Sequence, residues 1–126
     1  MGNSEVGHLN LGAGRIVYQD LQKINVAIRN KTFESNPALL KSIEYAKANS
    51  KTLHLLGVLS NGGVHSHINH LKAITSLCAA QNFHNVLIHA FTDGRDTAPK
   101  SGYGFLKEFK APLASYHGQL ATDTIT

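Results

Sequence analysis

Two apolar runs of strand length, Thr52 to Leu59 and Asn85 to Phe91, each stop at a polar loop that carries glycine. Between them Ile68, Leu71, Ile74 and Cys78 recur at helical spacing, and beyond them Tyr103, Leu106 and Phe109 do the same. A buried strand followed by a helix-period segment, and then the pattern again, implies crossover connections, and crossovers join parallel strands. The expectation is an α/β fold, a parallel sheet with flanking helices. Gln119 to Thr124 reads as the start of a third strand. Upstream, Leu21, Ile24 and Ile28 mark an amphipathic helix after Asp20. Asn36 suits an N-cap and Pro37 the first helical position, so another helix is expected with Leu39, Leu40, Ile43 and Ala46 on its apolar face.

The first 18 residues differ from the rest, with Gly2, Gly7, Gly12 and Gly14 and few large apolar side chains. They read as an active-site loop and short helix with little core of its own. The whole chain, 126 residues with 42% hydrophobic, has room for one core of ordinary size. No apolar stretch is long enough for a membrane span and no basic segment precedes an apolar one at the start, so neither a membrane partner nor secretion is expected. The single cysteine, Cys78, fits a reducing compartment, and the expected location is the cytoplasm. Twelve basic against eight acidic residues give +4, scattered without a run or an aromatic ladder. That pattern points to a small anionic substrate rather than to nucleic acid. Eight histidines cluster at glycine-rich places, and histidine serves as metal ligand, phosphate contact and proton carrier.

In open α/β sheets ligands bind outside the carboxyl ends of the strands, so the two loops are expected to share a crevice. The first offers Gly62, Gly63, His65, Ser66 and His67, where glycine admits backbone N–H groups to an anion; equally, the glycines merely turn the chain and the histidines are surface residues. The second offers Asp93, Arg95, Asp96 and Lys100. Arg95 suits forked contact with a phosphate or carboxylate and Asp96 suits a substrate hydroxyl; equally, the two pair with each other and stiffen the loop. His65-Ser66-His67 has metal-binding spacing but lacks a third ligand nearby. Ser4, between Asn3 and Glu5 at the start of a short helix, is the candidate nucleophile, or else an ordinary N-cap.

Three stretches together alter these readings. Met1-Gly2-Asn3-Ser4-Glu5-Val6-Gly7-His8-Leu9-Asn10-Leu11-Gly12-Ala13-Gly14-Arg15 resembles the phosphoserine motif of the cofactor-independent phosphoglycerate mutases. Leu59 to His67 and His89 to Thr97 resemble two further motifs of that family, in order and at the family's separations. The resemblance covers about residues 1–120. It implies interconversion of 3-phosphoglycerate and 2-phosphoglycerate in glycolysis, with two divalent ions, typically manganese, in a monomeric enzyme related to alkaline phosphatase. It implies that Ser4 accepts the phosphoryl group and is a ligand of one metal, and that His65, Arg95 and Asp96 contact phosphoglycerate. It assigns residues 1–18 to a phosphatase domain and residues 19–126 to the N-terminal part of a substrate-binding domain, with a boundary near Val17–Tyr18.

The departures carry their own expectation. Asn61 stands where relatives usually have Asp, and Ala98 where they usually have Pro. After Ala121 the chain leaves the family's pattern, and the remaining substrate arginines, the lysine and the other metal ligands are not in it. The chain therefore reads as a fragment of such an enzyme, inactive in isolation. The rival reading is a non-catalytic anion-binding or interaction module on the same scaffold. Another phosphatase-like enzyme acting on a different ester is a second rival, which the paired His and Arg-Asp loops disfavour.

Overall fold

The computed structural model describes residues 4–14, 19–63, 66–93, 97–98, 100–115 and 119–121, with backbone alone for residues 4–6, 10, 109–115 and 119–121. Along the chain run α1 (Ser4–Ala13), α2 (Asp20–Arg29), a 3-10 turn (Phe33–Ser35), α3 (Pro37–Ala48), β1 (Leu53–Val58), α4 (Ile68–Ala80), β2 (Val86–Phe91), α5 (Gly102–Ser115) and β3 (Gln119–Ala121). The strands form one sheet in the order β1-β2-β3, parallel throughout, as the alternation of apolar runs implied. Leu53 pairs with Val86 and Val58 with Phe91, so β1 and β2 are level at both ends.

Local chemistry accounts for the helix ends. The Asn36 side chain accepts from the amides of Ala38 at 3.0 Å and Leu39 at 3.3 Å, while Pro37 occupies a position whose N–H would be unpaired. After α3 and α4 the chain passes through left-handed Ser50 (φ 52°) and Asn82 (φ 55°). The amides that follow reach back five residues, Lys51 to Ala46 at 2.8 Å and Phe83 to Cys78 at 2.9 Å. These are Schellman closures, which satisfy carbonyls the helix leaves open. They turn the chain directly into β1 and β2.

The core lies on one face of the sheet. Ile43 and Ala46 of α3, Ile68, Leu71, Leu77 and Cys78 of α4, and Val86, Ile88 and Ala90 of β2 are buried together with Leu59 and Phe83. Leu53 and Leu55 of β1 and Phe105 and Leu106 of α5 pack against them. Right-handed crossovers that step the sheet in one direction put α4 and α5 on the same side. The opposite face keeps His54, Leu56 and Val58 of β1 and Leu87, His89 and Phe91 of β2, and Leu56 is 66% exposed. The two apolar runs are thus covered on one face, and the expectation of buried strands is corrected for the other, where His54 and Leu56 are exposed and Val58, Leu87, His89 and Phe91 half-buried. On the open face His54 Nδ1 and His89 Nε2 lie 2.9 Å apart with ring centroids 5.2 Å apart and planes 17° from parallel. The rings meet edge to edge, one nitrogen donating a proton and the other accepting it.

Residues expected in a short N-terminal helix form α1, where Leu9 and Leu11 are 49% and 83% exposed and His8 is exposed. None of the described side chains of α1 joins the core. The boundary near Val17–Tyr18 falls outside the described residues. Tyr103, which the spacing placed on an apolar face, is 77% exposed. Cys78 is a buried free thiol pushed up to about 11 by burial, which keeps it protonated and unreactive. No described helix is long and apolar enough to cross a membrane.

One buried titratable group holds α2 in place. His70 of α4 is 8% exposed and its Nε2 lies 2.7 Å from Asn25 Oδ1 of α2; the oxygen only accepts, so Nε2 carries the proton. Burial, and next the charge of His67, lower the His70 pKa from its ordinary 6.5. Between the lowered value and 6.5 the unfolded chain binds the proton that the folded chain refuses. Stability from this group is therefore complete above that window and is lost as pH falls through it. Urea unfolding at pH 7.5 and 5.5 should show the chain weaker at the lower pH, with a smaller difference in His70→Gln, which keeps a donor for Asn25 but does not titrate. Equal differences in the two proteins would remove His70 from this role.

Candidate active site

Parallel strands that finish level deliver their following loops to one edge, and the helices that follow begin there too. At that edge the ladder continues one bond past β1, Leu59 N–H donating to the Phe91 carbonyl at 2.8 Å. Leu59 and Ser60 are fully buried, so the last residue before the glycines is anchored in the core. Ser60 organises the first loop. Its hydroxyl accepts from the Gly62 amide at 2.9 Å and donates to Asp93 Oδ2 at 2.9 Å, and its carbonyl accepts from the Ile68 amide at 2.8 Å. The last of these closes the loop at the start of α4.

Gly63 has φ +70°, a conformation that glycine adopts without cost. His67 caps α4: its Nδ1 accepts from the Asn69 amide at 3.1 Å, which assigns the proton to Nε2. Its ring is thus engaged with the helix start, and the choice between anion contact and free surface histidine resolves into a structural cap.

The second loop is tied back on itself. Thr97 Oγ1 donates to the Asp93 carbonyl at 2.9 Å, Ser101 Oγ donates to Thr97 Oγ1 at 3.0 Å, and the Ser101 amide donates to the Ala98 carbonyl at 3.1 Å. Gly102 opens α5 against Thr92, and a Cβ there would come within 3.0 Å of the threonine side chain. Lys100 is exposed and left-handed at φ 68°.

Ser4 is the first residue of α1, and its side chain lies outside the described residues, as do His65, Arg95 and Asp96 altogether. The structure describes the anchors on both sides of those loop residues. Ser60 and the capping role of His67 were not legible beforehand. The available signal was position: a small hydroxyl residue directly after the apolar run, and a polar residue directly before a helical one.

Among the described residues no three His, Cys, Asp or Glu side chains converge as a metal site. Asp93, the one acid of the two loops among them, is engaged by Ser60. The described donors by themselves do not make up a site for a pair of divalent ions. What the arrangement offers is a polar edge with closely tied loops and two helix N-termini, suited to an anion.

Residues 24–124 match the family model described as the N-terminus of BPG-independent PGAM. The chain is 50% identical over 122 residues to a 2,3-bisphosphoglycerate-independent phosphoglycerate mutase of Parabacteroides distasonis, covering 97% of this chain and 24% of that protein. It is 56% identical over 115 residues to the like-named protein of Lawsonia intracellularis, covering 91% and 22%. Among solved structures, the phosphoglycerate mutase of Leishmania mexicana at low cobalt concentration superposes with a TM-score of 0.80 at 35% identity, covering 96% of this chain and 23% of that one. The chain thus spans about a quarter of the length of these relatives.

The backbone at Gly63 gives a direct check on the first loop. Its nearest would-be neighbours to a Cβ are 3.9 Å away, so space is open and the cost of a side chain is conformational. Gly63→Ala should lower stability by about 1 kcal/mol in urea unfolding. An unchanged midpoint would mean that the left-handed turn is not required.

Proposed function

This chain belongs to the 2,3-bisphosphoglycerate-independent phosphoglycerate mutase family, and from that premise we propose that its two loops hold phosphoglycerate during interconversion of the 3- and 2-phosphates in glycolysis. The observation that carries the reading is the bond from Ser60 to Asp93, which ties together the loops that contain His65 and Arg95-Asp96. In this reading the phosphoryl group leaves the C3 oxygen of the substrate for Ser4 Oγ, giving phosphoserine and glycerate. The proton of the Ser4 hydroxyl ends on the C3 oxygen. Glycerate then turns, its C2 hydroxyl takes the phosphoryl group, and Ser4 regains a proton.

Each residue type suits its part. Arg95 presents a planar fork to two oxygens of an anionic group, which holds glycerate while it is free to turn. Asp96 accepts the hydrogen of a glycerate hydroxyl and aims its oxygen. His65 donates to a phosphate oxygen. Enclosure matters because water competes for the phosphoserine. The division of the chain near Val17–Tyr18 belongs to the same reading, and the exposure of Leu9 and Leu11 outside the core supports it. Ser4 would face a divalent ion, manganese by family resemblance, in a cytoplasmic monomer.

The test is 3-phosphoglycerate titrated into the chain, followed by amide chemical shifts. Gly62, Asp93 and Thr97 should shift, and D-glycerate should bind more weakly. Arg95→Lys keeps the charge but loses the fork, so affinity should fall by roughly one to two decades while the melting temperature stays within about 2 °C. An internal Arg–Asp pair predicts the reverse, a lower melting temperature with affinity preserved. No shift at any of the three amides in the unsubstituted chain would sink the reading.

Turnover is a separate matter. The chain spans about a quarter of the length of the mutases it resembles, and by itself the 126-residue chain should form no 2-phosphoglycerate in an enolase-coupled assay with manganese. Product formation that Ser4→Ala abolishes would overturn this.

A further inference from the structure

We propose that Ser60 is a positioning residue: its buried hydroxyl locks the loop after β1 to the loop after β2, so that the two grip one substrate as a unit. The identity of that substrate rests on the mutase reading above; the coupling of the loops does not. Ser60 is 1% exposed, and a buried hydroxyl must find partners. Both partners are of fixed polarity. The Gly62 amide has only a proton to give and the Asp93 carboxylate only lone pairs, so the Ser60 hydroxyl accepts from the first and donates to the second.

Two short runs of bonds meet at Asp93, one on its carboxylate and one on its backbone carbonyl. Gly62 N–H donates to Ser60, Ser60 to the Asp93 carboxylate, Thr97 to the Asp93 carbonyl, and Ser101 to Thr97. Bonds within each run polarise one another, and the run through Ser60, which ends on a carboxylate, is the stronger kind. The pairing of strands stops at Leu59 and Phe91. Beyond that point the sheet no longer sets the separation of the two loops, and the bond from Ser60 to Asp93 takes over. His65 follows Gly62 by three residues and Arg95 follows Asp93 by two. The spacing that a bound anion meets is therefore set through a residue that need not touch it.

The experiment compares the chain with Ser60→Ala, Asp93→Ala and the double variant by amide hydrogen exchange and 3-phosphoglycerate titration. In Ser60→Ala the Gly62 amide should exchange about tenfold faster, and so should the Ser101 amide, which lies in the other loop. Ile88 and Ala90 in the core should keep their protection, which reports that the variant is folded. The 3-phosphoglycerate dissociation constant should rise about tenfold in Ser60→Ala, and adding Ser60→Ala to Asp93→Ala should raise it no further, since the shared bond is already gone. Unchanged exchange at Ser101, or affinity equal to that of the unsubstituted chain, would overturn the inference. If the unsubstituted chain binds no 3-phosphoglycerate, the proposal that these two loops hold phosphoglycerate fails. The exchange at Ser101 then decides the coupling alone: faster in Ser60→Ala supports it, unchanged refutes it.

Discussion

Everything at the loops depends on the level, parallel pairing of β1 with β2. Because Val58 is opposite Phe91, both strands hand their chains to the same edge within one residue of each other. An antiparallel pair would send the two loops to opposite ends of the sheet, and no arrangement of His, Arg and Asp could then meet one ligand. Parallel pairing also demands long crossovers, and those are α4, which shares the core with α3 and β2, and α5, whose Phe105 and Leu106 pack against it. The site and the core are thus consequences of the same topology.

That topology was legible because it is written in periods. Runs of strand length alternate with residues three and four apart, and the helix starting at Pro37 announces itself through Asn36 and Pro37, which act within their own turn. The uncovered face was not legible. Leu56 and Leu55 are identical as side chains, yet Leu55 packs on the core and Leu56 is 66% exposed. Which side of a strand receives helices is decided by the hand of the crossovers and the direction in which the sheet grows, and neither leaves a mark in the composition of a single strand.

The polar residues divide in the same way. His65, Arg95 and Asp96 stood out through family motifs, which record chemistry and order but say nothing about what fixes the spacing between them. His67 belongs to the same stretch, and its ring closes the first turn of α4 instead. Ser60 carried no signal of its own, since serine after an apolar run is common and its significance lies in Asp93, thirty-three residues away in sequence. Contacts of that separation come from the sheet register, which the pattern of runs fixes only to within a residue or two. A slip of one residue would turn the slipped strand over and separate Ser60 from Asp93.

The engagement of Asp93 bears on how an anion site tolerates an acid. A free carboxylate beside a phosphate repels it, and the repulsion grows as water is excluded. Asp93 has its Oδ2 turned to the Ser60 hydroxyl, which in turn is polarised by the Gly62 amide, so positive ends of dipoles face the carboxylate from the first loop. That arrangement disperses its charge into the body of the protein. The same carboxylate is a stronger acceptor than a neutral amide would be, which suits it to hold two loops together. An Asn at this position would relieve the repulsion and loosen the brace. The balance favours Asp where fixed spacing between the loops is worth more than the residual repulsion.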